Sequence, residues 1–205
     1  MITEEMLKNL RHSVSLRLSE RRFLHTLGVE EMATLIAGYC LPEKLHEVSA
    51  AAILHDVTKE IPFDEQIEML KNSDLVSDFE KNVSNEILHS FTAPNVVERD
   101  FPDFASEEIL SAIRNHTIGA ENMSTFDKII FLADFIEKSR TYPDSVNTRT
   151  YVMNSLKTGK TEENIKVLNR ACIMEIDSTI AHLKGRGAKI NNATLLAKAS
   201  LISNI

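Results

Sequence analysis

The sequence predicts an all-α protein, and three observations carry that prediction. Apolar residues recur at helical rather than alternating spacing through most of the chain. Only 6 Gly and 5 Pro interrupt 205 residues, so regular structure should dominate. Helix-start signals (Pro42, Ser106, Ser124) stand directly before the periodic stretches.

Taken in order, "RRFLHTLGVEEMATLIAGYC" is the first clear helix, with Leu24, Leu27, Met32, Leu35 and Ile36 at helical intervals. Pro42 suits an early helix position, and "EKLHEVSAAAIL" follows it with Leu45, Val48 and Ala52 in register. "FDEQIEMLKN" is a short amphipathic helix after Pro62. "SNEILHSFTAPNVVERDF" is expected to be a helix disturbed around Pro94. Ser106 caps "SEEILSAIRNHT", which Gly119 should end. Ser124 opens "STFDKIIFLADFIEKSR", whose apolar face is Phe126, Ile129, Ile130 and Ala133. "TYPDSVNTR" is expected to be a loop. "TEENIKVLNRACIMEIDSTIAHLKG" is a long helix ending near Gly185, and a last short helix begins near Thr194 after the irregular "GAKINNAT". No repeat, low-complexity tract or linker divides the chain. The expectation is one all-α domain over residues 1–205.

Hydrophobic residues are 43% and charged residues 26% of the chain, a balance typical of soluble globular proteins. The formal net charge of −7 argues against general binding to nucleic-acid backbones or anionic membranes. It leaves room for a small anionic ligand, because a metal or a local Lys/Arg group overrules the global field. Cys40 and Cys172 stand apart with no CxxC spacing and read as reduced thiols. "MITEEMLKNLRHSVS" lacks a signal peptide's apolar core, and no segment approaches the ~18 apolar residues of a membrane span. A cytoplasmic location is expected.

The chemistry lies in the histidines and two aspartates. His12, His46 and His182 have polar or mixed neighbours and read as surface or structural. The other four fall on core-facing stripes: His25 with Val29 and Met32, His55 after Ala51 and Ala52, His89 after Ile87 and Leu88, and His116 after Ile109, Ala112 and Ile113. Asp134 lies inside "IIFLADFI" with no local partner, and Asp56 beside His55 poses the same problem. A buried carboxylate needs a cation. One divalent metal held by His25, His55, Asp56 and Asp134 answers all four burials, and imidazole mixed with carboxylate favours iron, manganese or zinc over magnesium. His89 and His116 are then candidates for a second metal or for phosphate contacts. Lys59 lies one turn beyond His55–Asp56, and Arg140 lies just past the Asp134 helix. Cations beside a Lewis-acid site are what phosphoryl chemistry requires. The residues therefore point to a metallohydrolase, in which Asp56 orients or deprotonates the attacking water and Lys59 and Arg140 offset developing charge.

The order His25, His55–Asp56, His89, His116, Asp134 resembles the HD superfamily of metal-dependent phosphohydrolases. The blocks "RRFLHTLGV", "AAILHDVTKEIP", "ILH", "AIRNHTIG" and "MSTFDKIIFLADFIEKSR" resemble the YqeK family of symmetrical bis(5′-nucleosyl)-tetraphosphatases, in the family's order from about residue 20 to residue 140. The helices over 145–205 fit in length and carry little motif. The resemblance implies a helical HD fold and iron-dependent cleavage of diadenosine tetraphosphate (Ap4A) into two ADP by a metal-activated hydroxide. It implies His25, His55, Asp56 and Asp134 as metal ligands, with one or two ions and with manganese, cobalt or zinc as alternatives to iron. It makes Lys59, His89, His116, Thr117, Asp134 and Arg140 the nucleotide or phosphate contacts, and it suggests a homodimer. The chain departs from the family at Ala120, where Arg is common, and at Ser90–Phe91, where glycines are usual. Another nucleotide or alarmone as substrate, a non-catalytic nucleotide sensor and a di-iron oxygenase are the competing readings.

Overall fold

The computed structural model describes residues 1–71 and 85–205. These form ten α-helices and no strand: α1 (Glu4–Ser15), α2 (Glu20–Cys40), α3 (Leu45–Leu54), α4 (Phe63–Leu70), α5 (Asn85–Asp100), α6 (Glu107–Asn115), α7 (Thr125–Ile136), α8 (Pro143–Ser155), α9 (Thr161–Gly185) and α10 (Asn192–Ile202). Short 3₁₀ turns, Pro42–Lys44 and Pro102–Phe104, precede α3 and α6. Asn72 and Ser84, at the edges of two expected helices, lie outside the described residues. No helix among the described residues is long and apolar enough to cross a membrane.

Helix α3 is central because every residue from Val48 to Leu54 is buried. Its run of Ser49, Ala50, Ala51 and Ala52 presents little bulk, and α1, α2, α6 and α7 all pack against it. Buried apolar side chains from Ile2 to Leu201 join around it in one cluster. Helix α1, which the sequence reading did not single out, adds Leu7, Leu10 and Val14 to the cluster after an N-cap at Thr3. Helices α8 and α9 close the other side of α7, α10 packs on α9, and α4 packs on α5.

Several expectations on register and boundaries need correction. Leu24 is 61% exposed, while α2 turns His25, Val29 and Met32 inward as their shared stripe predicts, with Ile36 beside them. Leu45 is likewise exposed, while Val48 and Ala52 are buried. Helix α5 runs through Pro94 without a break. Hydroxyls serve the turn before it: Thr58 Oγ1 donates to the His89 carbonyl at 3.1 Å, and Thr92 Oγ1 does so at 3.3 Å. Gly119 does not end α6, which stops at Asn115. It closes the next turn at φ +70°, where its N–H donates to Asn115 O at 2.9 Å. Helix α7 ends at Ile136, before "EKSR".

The expected loop "TYPDSVNTR" is the start of α8, with Pro143 at its first turn. Pro at that position and Asp144 beside it both favour a helix start. The helix escaped the periodicity test because two of its three buried residues, Ser145 and Thr148, are polar. The other helix starts are local and legible. Ser106 accepts from Ile109 N, and Ser124 with Asp127 forms a reciprocal capping box. Asp127 also accepts from Ser111 Oγ at 2.8 Å, which ties α6 to α7.

Helix α8 finishes what α7 leaves open. Arg149 Nη1 donates to the carbonyls of Ile136 at 3.0 Å and Glu137 at 2.7 Å, capping α7 from a different helix. Arg149→Ala leaves those carbonyls without this donor and is expected to cost about 1–3 kcal/mol, read from urea unfolding midpoints at unchanged slope.

Candidate metal centre

Two helix ends build the centre by the same device. His55 follows the last residue of α3 and donates Nδ1–H to the Ala52 carbonyl at 2.6 Å. His116 follows the last residue of α6 and donates to Ile113 O at 2.7 Å. Each bond satisfies a helix-end carbonyl with Nδ1–H, which leaves Nε2 as the atom each ring turns to the site. The rings lie 5.0 Å apart, centroid to centroid. Tight turns continue past His55, with Val57 N to Leu54 O at 3.1 Å and Lys59 N to Asp56 O at 2.9 Å. Asp56 is thereby folded back beside His55.

Helix α2 supplies His25, whose Nδ1 faces Glu137 Oε1 at 3.2 Å and whose Nε2 lies 3.0 Å from Asp134 Oδ1 on α7. Asp56 Oδ2 is 3.7 Å from His25 Nε2 and 3.4 Å from His55 Nε2. His25, His55 and Asp134 bring donor atoms within 4.8 Å of one another, and so do His55, Asp56 and His116. The sequence-predicted donors therefore meet, and His55 belongs to both groups.

His89 lies beside these groups rather than in them. Its Nε2 is 2.9 Å from His116 Nε2, 3.2 Å from Asp56 Oδ1 and 3.4 Å from Thr117 Oγ1. Lys59 Nζ donates to His89 Nδ1 at 3.1 Å and to the Glu86 carbonyl at 3.0 Å. Lys59 thus props His89 in this structure. Arg140, the other expected cation, donates Nη2–H to Asp134 Oδ1 at 2.8 Å.

The charge state suits a cation. Burial alone would raise the Asp56 carboxyl, but His55 and His89 hold it well below the usual carboxylate range. Asp134 is held down in the same way by His25 and Arg140. Burial pushes His116 down to about 3, helped by His89 and His55, and it lowers His89 despite Asp56. His25 is the exception. Burial opposes its proton, but Asp134 and Glu137 outweigh burial and raise it to about 9. A metal arriving there must displace that proton.

The donor set passes a direct test of fit. The buried Nε2 of His55 has no hydrogen-bond partner among the described residues, and that of His25 has only the Asp134 carboxylate at 3.0 Å. Buried ring nitrogens crowded against ionised carboxylates are satisfied by a divalent cation.

Sequence reasoning missed two groups. Arg22 Nη1 pairs with Asp56 Oδ2 at 2.9 Å. It stands three residues before His25 on α2, a spacing that places both on one face. Glu137 stands three residues past Asp134, buried beneath His25. Its Oε2 accepts from Ser139 N at 2.6 Å, and Ser139 Oγ donates to its Oε1. A Cβ on Gly28 would come 2.7 Å from Glu137 Oε2. Gly28 is therefore the space in which that carboxylate sits.

The HD domain family matches residues 22–138, more than half of the chain and the whole of the donor cluster. The chain belongs to the HD domain family. Among similar HD proteins is the symmetrical bis(5′-nucleosyl)-tetraphosphatase of Halalkalibacterium halodurans, 33% identical over 90% of this chain and 91% of that protein. The enzyme of the same name from Bacillus subtilis is 29% identical over 93% of this chain and 94% of its own length. The fold matches a crystal structure described as a predicted HD superfamily hydrolase involved in NAD metabolism, from Clostridium acetobutylicum. Its TM-score is 0.81, at 26% identity and full coverage of both chains. The HD fold and its buried His/Asp cluster are those of a metal-dependent phosphohydrolase.

Partners that orient ligating histidines typically control metal affinity by ~10–100-fold. Gly28→Ala and Glu137→Gln are each expected to weaken metal binding by about that factor. Titration of metal-free protein with manganese(II) reads this, with the helical circular dichroism spectrum unchanged.

Proposed function

We propose that this HD domain protein cleaves Ap4A symmetrically into two ADP, with iron as its metal in one or two ions. The carrying observation is the position of the donor cluster. His116 and Asp134 line the end of a cavity of about 740 Å³, together with Thr117 and Arg140. A polyphosphate entering there meets two of the donors and a guanidinium at once. The names of the Halalkalibacterium and Bacillus relatives support the substrate.

In this reading His25, His55, Asp56 and Asp134 hold the metal, with His116 completing a second position. When bound, the metal supplies a Lewis acid for the phosphoryl oxygens and an acidified water as nucleophile. Asp56, held ionised, orients the attacking water. Arg22 anchors Asp56 on the side of Oδ2, which keeps its carboxylate from swinging away. Arg140 is already aligned by Asp134 and offsets charge on the phosphoryl oxygens. Lys59 keeps His89 against Asp56 and His116.

The protein, supplied with iron under reducing conditions, is expected to convert Ap4A to ADP alone; AMP with ATP as products would refute the symmetric reading. His55→Ala removes a donor common to both groups. It should lower metal content and turnover together, by more than the ~100-fold upper range for orienting partners. Metal analysis and product chromatography on the same preparation check both.

A further inference from the structure

One wall of the cavity belongs to α9, where Glu175, Ser178, Thr179 and His182 succeed one another at helical intervals and share a face. Ser178 has a structural task, since its Oγ donates to Asp144 Oδ2 at 2.7 Å and ties α9 to the start of α8. Glu175 has none of that kind. It is 7% exposed, and its buried Oε2 has no hydrogen-bond partner among the described residues. Burying a carboxyl without a partner is costly, and nothing in the packing offsets that cost.

Burial, reinforced by Asp134 and opposed by Arg140, pushes the Glu175 carboxyl well above the usual range. A buried carboxyl without a partner is least costly as the neutral acid, with one O–H donor beside one carbonyl acceptor. The face-on partner of such a pair is a group that accepts and donates side by side. Phe135 and the 67% exposed Tyr142 line the same cavity and provide flat faces for a ring.

We propose that Glu175 reads the nucleoside of the nucleotide in this cavity, its O–H donating to an adenine ring nitrogen and its carbonyl accepting from the exocyclic amino group. This rests on reading the chain as a nucleotide phosphohydrolase, and it adds a residue that contacts the nucleoside. An ionised carboxylate could only accept, and would repel both the ring nitrogen and the nearby polyphosphate. The neutral acid does neither.

The experiment titrates manganese-loaded protein with ADP and, separately, with pyrophosphate, which lacks the nucleoside, using calorimetry. Glu175→Leu is expected to weaken ADP about tenfold, one hydrogen-bonding pair's worth, and to leave pyrophosphate within about twofold. Glu175→Gln keeps a donor beside an acceptor and should hold ADP within about threefold. The ligand-free Glu175→Leu protein should melt no lower than the parent, because an unpartnered polar group has been removed. Unchanged ADP affinity in Glu175→Leu overturns the assignment, as does equal weakening of both probes or absence of ADP binding in the parent. If Ap4A is not cleaved while Glu175→Leu still loses ADP selectively, the hydrolase reading fails and the assignment stands. If Ap4A is cleaved normally and ADP affinity is indifferent to Glu175, the reverse holds.

Discussion

The whole centre depends on two imidazoles that finish helices. His55 and His116 each donate Nδ1–H to a carbonyl three residues back, one at the end of α3 and one at the end of α6. Helix ends leave carbonyls that need donors, and a histidine in that place satisfies one while its ring is fixed. Ring orientation, tautomer and helix termination are then one interaction. Because α3 and α6 pack on each other, the two Nε2 atoms are brought to the same place as a consequence of core packing.

Around that pair the protein gathers more charge than a core tolerates unaided. Asp56 meets Arg22, Asp134 meets Arg140, and His25 bridges Asp134 and Glu137. Each carboxylate has a cationic partner on one side and faces the donors with its remaining capacity. Such pairing keeps buried charge from unfolding the site, yet it leaves the Nε2 atom of His55 without a hydrogen-bond partner among the described residues. The network is thus complete only toward the protein. Its open valences point inward to a common point, which is what a metal requires.

The helices beyond residue 140 are more than a covering. Arg149 on α8 caps α7 and so steadies the segment that carries Asp134, Glu137 and Arg140. The start of α8 and the second half of α9, joined through Ser178 and Asp144, form the outer wall of the cavity. The metal donors come from the first two thirds of the chain, while much of the enclosing surface comes from the last third.

By itself the sequence determined the helical class, most helix starts, and which histidines and aspartates turn inward. Caps such as Ser106 and Ser124, and the placing of His25 and His116 on apolar faces, are local properties that periodicity exposes. The tertiary structure decided what is non-local. It revealed α8, whose buried residues include Ser145 and Thr148. It brought Arg22 to Asp56 and Glu137 to His25 across 34 and 112 residues. It also set Lys59 against His89 and Glu175 in the cavity wall. Spacing along a helix reports which residues share a face. Which residue meets that face is fixed only when the helices pack, because the partners lie far apart in the chain and the choice depends on volume and charge in the assembled core.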